Sequence, residues 1–380
     1  MMRKLTALLL VLTLCFTLCA CSARKGEEEA SAQDATVNAT LPSDVTEEGT
    51  TESGTAEELT TEPLTTEDIT TEPVTSGVQK NEDVTSPSQP VITPDVESEG
   101  IKPILYKVSD ANGNVIWLFG SIHVGREDFY PLPDYVMNAY NSSDAVAVEF
   151  NILEYQSDLF AQTKSMKSFL YTDGSKISDH ISEEVYNAGV AALTEYGMYT
   201  SLLDRCRPAL WSSLIDALII LEIGTDANLG VDMQILNMAD RDGKEIRDIE
   251  SADFQYDMLA SFSDELQEMM LVSSLKSMTD IEGYAEDMDM LLDLWASGDE
   301  AAFSEYLNGS DEVTGMSQEL YDEYYTAMIT NRNKTMTDYA VNALASGEEI
   351  FICVGAAHVV GEGAMAENLR ELGYTVEVVS

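Results

Sequence analysis

Two stretches of the chain share one pattern, an apolar run of strand-forming residues that ends in Gly-x-x-His-Val. The first reads "NVIWLFGSIHVG" over 114–125, and the second reads "EEIFICVGAAHVVG" over 348–361. A strand buried on both faces is apolar throughout, and a glycine at its end lets the backbone turn or approach another group closely. Ligands of open α/β sheets bind beyond the carboxyl ends of the strands. The pattern therefore predicts that His123 and His358 share one crevice if their strands are neighbours.

Carboxylates are predicted to join the two imidazoles at the same edge of the sheet. Glu149 follows an apolar run in "DAVAVEFN", over 144–151, and Glu250 ends the predicted strand "EIRDIE". Two histidines with one or two carboxylates suit a divalent metal that activates water, or an acid/base site that uses no metal. A structural role is the alternative for each residue, as a turn histidine or as a solvated carboxylate at a strand end.

Three further residues carry weaker functional signals. Asp232, in "LGVD", is predicted to be the N-cap of the helix that follows. His180, in "SDHISEE", lies at the polar start of a helix and is predicted to be a surface residue. Arg332 lies on a long predicted helix beside Asn331 and Asn333, where an arginine is usually solvated or ion-paired. If it reaches the crevice, it could stabilise a developing oxyanion.

The order of predicted elements places strands at both ends of the folded part and helices between them. A hairpin is predicted to turn at Asp110–Asn114. Further strands are predicted at 144–151, 245–250, 350–354 and 374–379. Helix starts are predicted at Ser182, Pro208 and Ser251, and mostly helical stretches at 255–306, 317–346 and 362–372. This order predicts an α/β fold, with α+β as the alternative, in which a mixed central sheet has a large helical insertion.

The first 25 residues match a secretory signal peptide. Arg3 and Lys4 are the basic start, Leu5–Leu18 is the apolar segment, and "LCAC" then places a small residue before Cys21. This arrangement is similar to a bacterial lipobox. It predicts that 1–20 is a lipoprotein signal peptide and that a lipidated Cys21 anchors the protein to the bacterial cell membrane on its extracytoplasmic side. An ordinary cleaved signal with an incidental cysteine is the alternative.

Residues 21–100 are predicted to be a disordered acidic tether that follows the lipidated cysteine. The part from 26 to 100 is rich in Thr, Glu, Ser and Pro, repeats with a period of five around "TTEPLTTEDITTEPVT", and has a net charge of −18. The leader carries four basic residues, so the total of −48 leaves −34 on the folded domain, 101–380. Such a surface repels nucleic acid and anionic lipid, so we expect no nucleic-acid partner.

Cysteine usage gives little information about the folded domain. Cys206 and Cys353 are the two cysteines between 101 and 380. An exported protein could pair them. We favour two buried free thiols, since Cys353 lies inside an apolar strand.

Several phrases in a fixed order extend the pattern over essentially all of 101–380. They are "LYKVSDANGNVIWLFGSIHVG", "VAVEF", "LGVDMQILNMADRDGKEIRDIES", "NRN" and "FICVGAAHVVGEGAMAENLRELGYTVEVV". Together they resemble the TraB/GumN (PrgY-like) family, which includes bacterial pheromone-shutdown proteins and the Tiki-type metalloproteases. The resemblance implies a fold similar to erythromycin-esterase and ChaN-like proteins. It also implies a site made of His123, His358 and Glu149, with Asp232, Glu250 and Arg332 at further family positions.

Residues and resemblance together predict an extracytoplasmic, membrane-anchored, metal-dependent hydrolase that cleaves peptides. His123 and His358 would bind Mn²⁺, Co²⁺ or Zn²⁺, and Glu149 would ligate the ion or act as general base toward a bound water. A non-catalytic protein that captures secreted peptides or a haem-like ligand is the first alternative. A metal-free esterase with His123 or His358 as general base is the second. The expected substrate is a peptide or a small molecule.

Overall fold

The computed structural model describes residues 100–308 and 316–380, and a six-stranded mixed sheet forms their centre. Its order is β4-β3-β5-β2-β1-β6. The strands are β1 Leu105–Ser109, β2 Val115–Ser121, β3 Ala145–Val148, β4 Glu245–Asp248, β5 Ile350–Gly355 and β6 Thr375–Val379. The predicted signal peptide, the lipidated Cys21 and the tether lie outside the described residues, apart from residue 100.

The two strands that end in the Gly-x-x-His-Val pattern, β2 and β5, are neighbours, which is the condition for His123 and His358 to share one crevice. β2 and β5 pair in parallel, with Ser121 opposite Gly355. β5 also pairs in parallel with β3, and β3 with β4. The carboxyl ends of these four strands therefore meet at one edge of the sheet. The hairpin partner β1 runs antiparallel to β2 and to β6, so strands from both chain ends build the sheet.

Helices account for most of the chain between the strands. They are α1 Asp134–Ser142, α2 Ile152–Ser157, α3 Leu159–Met166, α4 Glu183–Glu195, α5 Pro208–Glu222, α6 Val231–Asp242, α7 Ala252–Ala260, α8 Asp264–Thr279, α9 Ile281–Ser297, α10 Glu300–Asn308, α11 Gln318–Tyr325, α12 Asn331–Ser346, α13 Ala356–Val359 and α14 Met365–Glu371. The predicted mixed α/β fold with a large helical insertion is confirmed.

Local sequence signals explain where several helices begin and end. The Ser182 side chain accepts a hydrogen bond from the Val185 N–H at the start of α4, and Ser251 caps α7 in the same way. Pro208 occupies the first turn of α5, where its missing N–H costs no helical hydrogen bond. Gly243, with φ of 67°, ends α6 in the left-handed conformation. The three helix starts agree with the sequence predictions.

The long helix predicted over 317–346 is interrupted. A π-helical turn, Thr326–Thr330, separates α11 from α12. Such turns are rare and often occur at functional sites. This one directly precedes Arg332 and Asn333, both of which are buried.

The two thiols and the apolar character of the helices complete the description of the fold. Cys206 and Cys353 are buried and free, as predicted. Among the helices between 100 and 308 and between 316 and 380, none combines the length and apolar character of a membrane span.

Candidate functional site

Gly120 and Gly355, the glycines of the two Gly-x-x-His-Val motifs, allow close contacts at the strand ends. A Cβ atom on Gly120 would lie 3.1 Å from the Cα and Cβ of Ala356, and one on Gly355 would lie 3.3 Å from Oε1 of Glu149. Gly355 has a φ of −51°, so its backbone conformation is open to any residue. Close approach to Glu149, and not backbone strain, is therefore what disfavours a side chain there. His123 and His358, three residues after these glycines, both lie buried beyond the strand ends.

His358 is held in one tautomer by a single partner. Its Nδ1 lies 2.7 Å from Oδ1 of Asn333, and the Nδ2 group of Asn333 donates to the carbonyl oxygen of Gly363 at 2.9 Å. The amide oxygen can only accept, so Nδ1 carries the proton and Nε2 carries the lone pair. Burial, followed by the charge of Arg332, lowers the pKa of His358 to about 3. The ring is therefore neutral, and its buried Nε2 has no partner among the described residues.

His123 is oriented in a parallel way by a carboxylate. Its Nδ1 lies 2.7 Å from Oδ2 of Asp232, and its Nε2 is likewise buried without a partner in the described part of the chain. Burial alone would lower the pKa of His123, but the adjacent Asp232 outweighs burial and raises it. In both rings a partner fixes Nδ1, and Nε2 is left without a partner among the described residues.

The prediction for Asp232 is wrong, because Gly230 is the N-cap of α6. The N–H of Val231 donates to the carbonyl oxygen of Ile122 at 2.8 Å, which fixes the start of α6 against the end of β2. Asp232 is therefore in the first helical turn with its side chain directed at His123. Gly230 allows this approach, since a Cβ there would lie 2.4 Å from the carbonyl oxygen of His123.

Glu149, Glu250 and Arg332 form a buried ion-pair network. Nη2 of Arg332 lies 2.5 Å from Oε2 of Glu149 and 2.9 Å from Oε2 of Glu250. The side-chain amide of Gln255 donates to both carboxylates, and the N–H of Gly355 donates to Oε1 of Glu149 at 3.0 Å. Burial would raise the pKa of Glu149, but the Arg332 guanidinium outweighs it and holds that pKa well below its ordinary value.

Of the roles predicted for Arg332, the structure shows the ion pair. Its guanidinium group binds the carboxylates of Glu149 and Glu250. The π-helical turn precedes two adjacent residues whose side chains perform different tasks: Arg332 reaches the glutamates, and Asn333 reaches His358. Sequence reasoning assigned no role to Asn333 or Gln255. The "NRN" phrase was the available signal for Asn333, and we find none for Gln255.

The third histidine does not join the site. His180 is partly buried on a separate loop, where its ring stacks on Tyr171 with the ring centroids 4.0 Å apart. Its two nitrogens contact Ser175 and Asp264. The structure therefore brings together His123, His358, Glu149, Asp232, Glu250 and Arg332, and leaves His180 apart.

The two anchored imidazoles have the hydrogen-bonding pattern of metal-ligating histidines, but Glu149 does not complete a third ligand. A metal-bound imidazole normally donates its other N–H to a carboxylate or carbonyl oxygen, as His123 and His358 do. Both oxygens of Glu149 already accept hydrogen bonds. Among the described residues, no group of three or more His, Cys, Asp or Glu side chains lies close enough to hold a metal ion. The net charge of the cluster nevertheless favours a cation, because the three carboxyl groups of Asp232, Glu149 and Glu250 outnumber the one guanidinium group of Arg332.

A cavity of about 190 Å³ opens at the carboxyl ends of β3 and β4. Phe150 and Asn151, which directly follow Glu149, line it together with Ser251, which directly follows Glu250. The cavity thus lies beside the two strand-end glutamates. It provides space for a ligand next to the site, at the edge of the sheet where α/β folds bind ligands.

Comparison with known proteins connects this geometry to a family. The model of the TraB/PrgY/gumN family matches residues 104–378. The proteins YbaP of Escherichia coli K12 and YbaP of Shigella flexneri are each 26% identical to the chain over 258 residues, which is 67% of this chain and 87% of theirs. No solved structure matches significantly. The family match covers the whole sheet apart from its last residue, with both histidine motifs and the buried ion-pair network, and the chain belongs to the TraB/PrgY/gumN family.

Proposed function

We propose that this protein is a metal-dependent hydrolase whose site lies at the carboxyl ends of β2, β5 and β3. One observation carries the proposal: two buried imidazoles, each anchored through Nδ1, leave both Nε2 atoms without a partner among the described residues. A buried polar atom without a partner is costly. Two such atoms at the same edge of the sheet support the proposal of a ligand shared by His123 and His358.

The anchors give each histidine its task. Asn333 and Asp232 fix the rings so that Nε2 of His358 and Nε2 of His123 would hold a divalent cation, of which Mn²⁺, Co²⁺ and Zn²⁺ suit imidazole. When bound, such a cation lowers the pKa of a coordinated water and polarises a carbonyl group. With two protein ligands, positions stay open for water and substrate.

Glu149 and Arg332 are ion-paired with each other. Glu149 therefore does not act as a free general base, and Arg332 does not act as a free oxyanion donor. Arg332 keeps Glu149 ionised, and Glu149 accepts the N–H of Gly355, which starts the turn that carries His358. Glu149 thereby positions the turn and contributes negative charge to the site. Arg332 prevents repulsion between Glu149 and Glu250, which follow the neighbouring strands β3 and β4.

Peptides are the substrate class we propose, and the outer face of a bacterial membrane is the proposed location. The substrate class rests on the resemblance to Tiki-type proteases, and the location rests on the lipobox-like "LCAC" before Ser22. The cavity beside Phe150 and Ser251 supports a substrate that approaches from the ends of β3 and β4. The excess acidic charge of the folded domain favours peptides with basic residues.

Metal binding is the first test. The purified protein is exposed to Mn²⁺, Co²⁺ and Zn²⁺ in turn, freed of unbound metal, and its metal content is measured by elemental analysis. We expect about one equivalent, lost in both His123→Ala and His358→Ala. His180→Ala is a matched control, because that histidine also contacts a carboxylate through Nδ1 but lies outside the site. A folded wild type that binds no metal, or equal loss in His180→Ala, contradicts the proposal.

Capture of a peptide without cleavage is the second candidate. The observation that favours it is the ion pair of Glu149 with Arg332, which leaves the carboxylate a weak base. A peptide library incubated with the metal-loaded protein separates the two by mass spectrometry. New cleavage products that disappear in His358→Ala support the hydrolase, and saturable binding of intact peptides supports capture.

A further inference from the structure

Away from the two strand-end histidines, three side chains form a hydrogen-bonded chain. Oγ of Ser175 lies 2.8 Å from Nε2 of His180, and Nδ1 of His180 lies 2.7 Å from Oδ2 of Asp264. Each atom occupies the place of its counterpart in a Ser-His-Asp triad, in which the acid orients the imidazole and the imidazole takes the serine proton. Such triads occur on unrelated folds and are recognised by geometry and roles.

The loop that carries Ser175 and His180 is held against α8. Asp264 is the first residue of that helix, and Glu268, one turn later, accepts the N–H of Ser182 at 2.9 Å. The His180 ring also stacks on Tyr171, with only 6° between the ring planes. The imidazole is therefore fixed by a carboxylate, by a helix and by an aromatic face. Catalytic groups need this kind of orientation before the substrate arrives.

Two unused donors lie beside the triad. The Tyr171 side chain is 4% exposed, and its hydroxyl has no hydrogen-bond partner in the described part of the chain. The guanidinium of Arg207 lies 4.9 Å from the Tyr171 ring, and its buried Nε is also without a partner there. The Tyr171 ring stacks on the His180 ring, which places this side chain beside the triad. Such donors suit the oxygen of a carbonyl or carboxylate group.

Asp173 competes for the proton of Ser175. Its Oδ1 lies 2.6 Å from Oγ of Ser175 and also accepts the backbone N–H of that serine. A hydroxyl has one proton, so it points either at Asp173 or at His180. When it points at His180, the serine is arranged as a nucleophile. When it points at Asp173, the imidazole must donate to Oγ instead.

We propose that Ser175 is the nucleophile of a second hydrolytic site, which acts on small unhindered acyl esters. Oγ attacks the acyl carbon while its proton passes to Nε2 of His180. The ester C–O bond breaks, and the leaving alcohol takes that proton. Water then attacks the acyl carbon and passes a proton to Nε2, the bond between that carbon and Oγ breaks, and Nε2 returns the proton to Oγ as the acid leaves. Asp264 is a positioning residue that holds Nδ1. The side chains of His180 and Asp264 are 21% and 49% exposed, so a small ester reaches them from solvent.

This second site uses neither His123 nor His358, so its test is independent of the proposed metal site. The full chain is treated with a fluorophosphonate in excess chelator, and the adduct is located by peptide-mapping mass spectrometry. We expect an adduct on Ser175 in the wild type and in His123→Ala, none in Ser175→Ala, and labelling roughly 100-fold slower in His180→Ala. Hydrolysis of p-nitrophenyl acetate should change in parallel.

Ser168 is a matched internal control. Its hydroxyl donates to Asp257, but it has no imidazole partner among the described residues. Equal labelling of Ser168 and Ser175, or an unchanged rate in His180→Ala, overturns the proposal.

Asp173→Asn gives a second, more specific test. The substitution keeps an oxygen for the backbone N–H of Ser175 and removes the charge that attracts its hydroxyl proton, so labelling should become several-fold faster. An unchanged or slower rate overturns the arrangement. Asp264→Ala should slow labelling and Asp264→Glu should restore part of the rate, whereas a purely structural role would change the thermal midpoint and leave the rate on folded protein unchanged.

Discussion

The buried carboxyl group of Asp216 makes the stability of the helical layer depend on pH. Asp216 lies on α5 and is 3% exposed, and its Oδ1 has no hydrogen-bond partner within the described residues. Burial raises the pKa of Asp216 to about 7, although the hydroxyl of Ser274 on α8 lowers it in part. Burying a carboxylate costs more than burying a carboxylic acid. The folded state therefore takes up a proton at pH values where the unfolded chain does not.

The sign and size of the effect follow from the two pKa values. The unfolded value is about 3.9 and the folded value is about 7. The stabilisation by proton uptake is thus fully present below about pH 4 and is lost as the pH rises through about 7. At about 1.4 kcal/mol per pH unit, Asp216 removes on the order of 3 kcal/mol of unfolding free energy between about pH 5 and about pH 8. Asp216→Asn cannot ionise and should lack this loss.

Urea unfolding at several pH values measures the effect. The difference in unfolding free energy between Asp216→Asn and the wild type should grow by about 3 kcal/mol from about pH 5 to about pH 8, since all other titrations cancel. Asp338→Asn removes one exposed carboxyl on α12 and controls for the change in net charge. Ser274→Ala should move the pH-dependent range upward. Identical pH profiles for Asp216→Asn and the wild type would refute the reasoning.

Three further substitutions test packing, charge and orientation. In Gly189→Ala the new Cβ would lie 2.8 Å from the buried ring of Trp211, so chemical denaturation should show a loss of about 1–3 kcal/mol. In Arg332→Met two buried carboxylates lose their counter-ion, and we expect a loss of about 3–5 kcal/mol; an unchanged denaturation midpoint would contradict the buried ion pair. In Asn333→Ala the ring of His358 loses the acceptor of its Nδ1 proton, and metal titration should show an affinity roughly 10- to 100-fold lower. Equal affinity would show that Asn333 does not orient the ring.

The position of the two histidines could be predicted because local sequence determines it. A continuous apolar run indicates a strand buried on both faces, and the glycine after it marks the strand end. Two such runs with a histidine at the same offset predict equivalent places at one edge, provided that the strands are neighbours. The parallel pairing of β2 with β5 supplies that condition. Glu149 and Glu250 were predictable for the same reason, since each follows the end of a strand by one or two residues.

The partners of the histidines could not be predicted in this way. Asn333 reaches His358 from α12, and Asp232 reaches His123 from α6. Helix packing decides those contacts, and no local pattern in the sequence specifies the angle at which a helix meets a sheet. Asp232 shows the difficulty: an acidic residue near a helix start is a good N-cap candidate, but Gly230 is the N-cap and Asp232 lies two residues further along, in the first turn.

The π-helical turn Thr326–Thr330 lies just before Arg332 and Asn333, the two helix residues that serve the site. Successive residues of an α-helix point about 100° apart, so neighbours on one helix rarely both face the same cluster. Here Arg332 contacts Glu149, which in turn accepts the N–H of Gly355, and Asn333 contacts His358 three residues further along. One short segment of helix therefore fixes the same turn at both ends. A change of helical register at Thr326–Thr330 would displace both contacts together, so the orientation of His358 depends on this π-helical turn.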